Sequence, residues 1–172
     1  MLNVYSADGY YTSAKATATY TDNTITPTDG KNVCKTDGNY IYVCLGKNGL
    51  VRYNNGAVDK TFKLSGNACA NGVNYDDKYL YVAYGEKGLH ILDRDTFEEL
   101  TSYTYDGGKS ANFVEEAEIG GSKYIFVAYG ESGLKVLKLM ETYQNKVTIQ
   151  ETETSNVNTD DSFFDDNWSD LK

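Results

Sequence analysis

The chain has 172 residues and a net charge of −9 at pH 7, length enough for one domain with a sizeable core. Sixteen Tyr, sixteen Gly and a single Pro favour strands and turns over helices. No apolar run of about 18 residues is present to cross a membrane as a helix. An acidic chain without a Lys/Arg stripe repels phosphate backbones, which argues against nucleic acid as a partner.

The start, MLNVYSADGYY, has neither the basic nor the apolar region of a signal peptide and does not read as one. LNVYSADG lines up with LHILDRDT at Leu89 to Thr96, and ATATY with TSYTY. Residues 2–21 therefore read as the outer half of a four-stranded unit, its third and fourth strands.

One phrase then occurs three times: NYIYVCLGKNGLVRYN from Asn39, KYLYVAYGEKGLHILD from Lys78, and KYIFVAYGESGLKVLKL from Lys123. Its central glycines, Gly46, Gly85 and Gly130, are 39 and 45 residues apart, a period that fits four-stranded propeller blades. Each copy offers a short first strand, a turn (TDGN, YDDK or the longer EEAEIGGSK), a second strand ending at that glycine, and a tight KNG, EKG or ESG turn. A third strand (LVRYN, LHILD, LKVLK) and a fourth follow. Apolar or aromatic residues occupy both parities of the second strand, as on a strand covered on both faces. The third strand alternates more and reads as nearer the rim, with its His90 solvated.

The fold expected is all-β: propeller-type blades over 2–154, with a half blade at 2–21 and full blades at 30–65, 69–106 and 110–154. About three and a half blades do not close a ring, so the chain is expected to be incomplete or completed by association. The segment 155–172, with TDDSFFDDNWSDLK, is an acidic-aromatic tail. From Glu141 onward there are eight acidic and two basic residues.

The phrase resembles the LVIVD-repeat β-propellers of bacterial surface and secreted proteins, Bacteroidetes especially. The best-matching copies are YLYVAYGEKGLHILD and YIFVAYGESGLKVLKL, and the likeness covers about Leu2 to Thr154. The resemblance implies an extracellular, cell-surface or periplasmic protein with a binding or scaffolding role. It implies no particular chemistry, because fold and activity are separable.

No catalytic set assembles around His90, the single histidine. The turn glycines have neither the spacing nor the helix of a phosphate loop. Asn32, Asn71 and Asn112 recur at the entrance to each first strand. Each amide either ties turn backbone or bridges to the next blade; as a ring, they are the candidates for a polar ligand at a channel mouth. Tyr5, Tyr10, Tyr11, Tyr53, Tyr75, Tyr103 and Tyr105 read as facing outward, where they suit sugars or protein surfaces, or else as packed across strands. Phe163, Phe164 and Trp168 in the tail are candidates for docking, on the chain itself or on a partner. The tail's aspartates lack EF-hand spacing, and no metal or cofactor is expected.

Three cysteines make no disulfide framework. With a turn at Asp37-Gly38, Cys34 would oppose Ile41 and Cys44 would oppose Lys31, which puts the two sulfurs on opposite faces. The leading expectation is a non-enzymatic interaction or scaffold module that meets a protein partner or associates with itself through open blade edges. The alternative is a carbohydrate-binding propeller using Tyr and Asn.

Overall fold

The computed structural model describes residues 2–4, 18–20, 33–107, 109–142 and 146–152. Asn32, Phe163, Phe164 and Trp168, the tail at 155–172, and Tyr5, Tyr10 and Tyr11 lie outside the described residues. Strands β1 (Leu2–Val4) and β2 (Ala18–Tyr20) form an antiparallel two-stranded sheet.

Three antiparallel four-stranded sheets follow, each in strict chain order. The first holds β3 (Cys34–Thr36), β4 (Tyr40–Cys44), β5 (Leu50–Asn54) and β6 (Ala57–Phe62). The second holds β7 (Gly72–Tyr75), β8 (Tyr79–Ala83), β9 (Leu89–Asp93) and β10 (Glu99–Tyr103). The third holds β11 (Phe113–Ile119), β12 (Ser122–Ala128), β13 (Leu134–Glu141) and β14 (Val147–Glu151). A meander of four strands, stacked by its faces on the next meander, is the blade arrangement of a propeller. The described residues form no closed ring.

The double-sided apolar pattern of the second strand has its physical cause in this stacking. Strand β8 turns Leu80, Val82 and Tyr84 toward Tyr42, Cys44 and Leu50 of the first sheet. It turns Tyr79, Tyr81 and Ala83 toward Val114, Ile125, Val127 and Leu137 of the third. Every residue of β8 is buried. A third cluster, Val43, Leu45, Val51 and Tyr53, lies on the other face of the first sheet. Nearest the axis, neighbouring first strands crowd: a Cβ at Gly72 would lie 3.2 Å from both the Asn112 carbonyl oxygen and the Phe113 Cα.

Three expectations are corrected. The third strand is not a rim strand in the first two sheets: Leu89, His90, Ile91 and Leu92 are all buried, as are Leu50, Val51, Arg52 and Tyr53. The exposed fourth strands β6 and β10 form the rim instead. His90 is accordingly not solvated. Its Nδ1 lies 2.9 Å from Glu99 Oε1 and its Nε2 3.2 Å from the Lys87 carbonyl, with its ring against Phe62 and Tyr84.

The third correction concerns register. Cys34 pairs with Val43, not Ile41, because the hairpin turns at Gly38-Asn39. Asp37 sets that turn, its Oδ1 accepting from the N–H of Asn39 at 2.9 Å and of Tyr40 at 2.7 Å. A shift of two residues preserves parity, so exposed Cys34 and buried Cys44 still face opposite ways, and both are free thiols.

Candidate interaction site

The sheets are joined by a seam that repeats. At the end of the second strand in the first two sheets, a glycine with positive φ exchanges two backbone hydrogen bonds with an alanine that opens the next sheet. Gly46 pairs with Ala70 (N···O 3.2 and 2.9 Å) and Gly85 with Ala111 (3.1 and 2.8 Å). Three residues on, Gly49 and Gly88 leave room for a tyrosine of the following sheet. A Cβ there would lie 2.8 Å from the Tyr84 hydroxyl or 2.9 Å from that of Tyr129, besides falling on a backbone carbonyl. Those hydroxyls reach back across the seam: Leu64 N–H donates to Tyr84 Oη at 3.2 Å, and Tyr129 donates to the Tyr103 carbonyl at 3.2 Å.

At the opposite end of the second strand a carboxylate is held between a tyrosine of its own sheet and a cation of the next. Tyr42 donates to Asp37, which pairs with Arg94; Tyr81 donates to Asp76, which pairs with Lys123. Burial pushes the Asp37 carboxyl up, but the N–H groups of Tyr40 and Asn39 outweigh it together with Arg94 and Tyr42, and hold it at about 2. At Asp76 burial is again outweighed, here first by Lys123 and Tyr81, and its pKa lies below the usual range. The Tyr81 phenol is driven upward by burial and by the Asp76 carboxylate it serves.

Arg52 and Arg94 complete the first seam. Arg52, buried, pairs with Asp59 at 2.5 Å and donates to the Arg94 carbonyl at 2.8 Å, its guanidinium 4.3 Å from the Tyr40 ring centroid. Arg94 lies over the Tyr75 ring at 4.7 Å.

The third sheet carries the same surface without an occupant among the described residues. Leu50, Leu89 and Leu134 each stand four residues after the central glycine; the first two are 0% exposed and Leu134 is 55% exposed. A Cβ at Gly133 would meet nothing within 4 Å, unlike its counterparts Gly49 and Gly88. Register places Phe113, Phe126, Ala128, Leu134, Val136 and Met140 on this face. Of the six exposed large hydrophobic side chains among the described residues, four (Phe113, Ile119, Leu134 and Met140) lie here. Exposed apolar side chains gathered on one face of a sheet point to a site of contact.

Of the two candidate asparagines described, Asn71 falls into the seam. Asn71 is buried and donates through Nδ2 to the Ala111 carbonyl at 3.1 Å, bridging the second sheet to the third. Asn112 accepts from Ser110 Oγ at 3.1 Å. Asn71, Cys69, Glu86, Lys87 and Ser110 line an open cleft of ≈ 370 Å³.

A second cleft gathers Asp76, Asp77, Glu116 and Glu118 with Lys78 and Lys123; burial, then the nearby Asp76 charge, raises the Glu116 carboxyl. Among the described residues no group of three or more His, Cys, Asp or Glu is placed to hold a metal ion.

Of the tyrosines read as facing outward or as packed across strands, the four described take the packed alternative. Tyr53 is buried, Tyr75 donates to the Thr36 carbonyl at 2.7 Å, Tyr103 donates to Glu151 at 2.5 Å, and Tyr105 packs on Tyr129. Sequence reasoning missed the Asp–Tyr–cation seam. Its signal was present, since Asp37 and Asp76 each stand nine residues before the central glycine.

No curated protein matches the chain. The family model described as the LVIVD repeat matches residues 34–51 and 65–93, which span β3 to the start of β5 and then the approach to β7 through β9. With those matched stretches on two sheets, and a third sheet of the same order behind them, the chain carries LVIVD repeats at residues 34–51 and 65–93 and is built of propeller-type blades.

Proposed function

We propose that the chain is a non-enzymatic interaction module that binds a protein partner through the open face of its third sheet. The observation that supports this is the series Leu50, Leu89, Leu134: one position of the repeat, sealed twice by a following sheet and left open the third time. Burying a leucine side chain is worth about 1.5–3 kcal/mol, so a face holding Leu134, Phe113 and Met140 has a substantial affinity to offer. The family resemblance adds an exported or cell-surface setting to the proposal. The sugar-binding alternative gains no such support, because Tyr53, Tyr75, Tyr103 and Tyr105 are committed to packing.

The test is affinity capture with the chain, Leu134→Asp and Val58→Asp as baits. Val58 is equally exposed but sits on the rim strand β6. Partners held by the chain and by Val58→Asp but lost with Leu134→Asp support the reading; one set of partners on all three baits refutes it.

A further inference from the structure

The chemistry of the open face, and of the faces already covered, narrows the partner. We infer that a second copy of this chain occupies the third sheet's open face, the two copies meeting face to face about a two-fold axis. This rests on the reading of that face as an interaction surface. Inside the chain the stacking is directional, the outgoing face of one sheet meeting the incoming face of the next. A head-to-tail copy would therefore need the incoming face of the first sheet. That face is already taken up: Val43, Leu45, Val51 and Tyr53 are all buried. The apolar surface that a second copy has free, among the described residues, is its own third-sheet face, where four of the six exposed large hydrophobics gather. A surface that meets itself gives an isologous, closed dimer.

The charges fit the same arrangement. Glu115, at the inner edge of the face, is engaged by Lys35 at 3.2 Å and by Asn74 at 2.5 Å. Lys138 lies 5.9 Å from the Tyr124 ring centroid on the same face. The face itself thus sets no row of like charges against its copy. The repulsion that opposes pairing is the long-range one between two chains of −9 each, and salt screens it. Dimerisation accordingly strengthens as salt is raised, the opposite of an interface held by exposed ion pairs.

The experiment is sedimentation velocity on the full chain at micromolar concentration, in low and high salt, with Leu134→Asp, Met140→Lys and Val58→Asp, each also titrated with the apolar dye ANS. The expected result is a mass that saturates at two chains, for the native chain and Val58→Asp, and tightens with salt. Leu134→Asp and Met140→Lys should each weaken the dimer about tenfold or more. Both side chains are exposed, so the fold survives their replacement.

A mass that keeps growing past two chains overturns the face-to-face arrangement. A monomer whose ANS signal disappears in Leu134→Asp overturns the second copy as occupant and leaves the interaction reading standing with a different partner. A monomer with no ANS signal on any variant overturns both.

Discussion

Tyr129 of the third sheet lays its hydroxyl against Gly88 of the second, as Tyr84 does against Gly49 one sheet earlier. The glycine meets two demands there, a φ of 85° and a space without a Cβ. Gly133, in the same turn of the third copy, meets only the first, since its φ is 72° and nothing lies within 4 Å of its would-be Cβ. Gly133→Ala should therefore cost only the positive-φ backbone, about 1–3 kcal/mol. Gly88→Ala adds a clash with the Tyr103 carbonyl and the Tyr129 hydroxyl, worth roughly 1–3 kcal/mol more. Urea unfolding of the two variants side by side checks the difference; equal losses would show that Tyr129 does not close on Gly88.

Acid should loosen the first seam. The Asp37 carboxyl titrates at about 2 in the fold against 3.8 when free, and its side chain is only 7% exposed. A depressed carboxylate contributes stability that is complete above its unfolded pKa and lost as pH falls through its folded one. The contribution is ~2 kcal/mol, present at pH 5 and disappearing between about pH 4 and pH 2. Asp37→Asn should be less stable than the native chain at pH 7, yet nearer to it at pH 2. Chemical denaturation at both pH values measures this, and parallel losses at the two would show that Asp37 carries no special share.

What was legible in the sequence was what obeys a period. The apolar pairs Tyr81/Val82 and Tyr42/Val43 on both parities announced strands covered on two sides, and the glycine spacing announced blades. The third strand misled because His90 looked like a polar break in an alternation. A buried imidazole with a partner at each nitrogen, Glu99 and Lys87, is polar in sequence but not in exposure. At Tyr75 and Tyr103 the packed alternative holds, because a phenol whose hydroxyl finds a carbonyl or carboxylate across the seam packs as an apolar ring. Cross-sheet pairs such as Arg94 with Asp37 link residues 57 positions apart, and no local pattern reports them.

The third copy drops both halves of one interaction together. Where Tyr42 and Tyr81 serve a turn aspartate, it has Phe126, and Gly121 stands nine residues before Gly130 in place of the acid. A hydroxyl without its carboxylate would be of little use beside an open face. Tyr81→Phe should cost about 1 kcal/mol, the net worth of one hydrogen bond. It should also raise the Asp76 pKa, since the Tyr81 hydroxyl is among the groups that hold it down. Carboxyl titration by NMR reads the second effect. An unmoved Asp76 would assign its depression to Lys123 and the turn N–H groups alone.

Leu89 and Leu134 give the sharpest contrast, because one repeat position sits in two environments. Leu89→Ala opens a cavity between the second and third sheets and should cost about 2–5 kcal/mol. Leu134→Ala removes a side chain that already faces solvent and should change the stability of the lone chain by no more than about 0.5 kcal/mol. At concentrations where the face is occupied the second figure grows, because stability then includes the bound partner by mass action. Thermal unfolding at two protein concentrations tenfold or more apart separates the cases. A Leu134→Ala loss as large as that of Leu89→Ala at every concentration would mean that the chain itself seals this face, and the proposed contact surface would not exist.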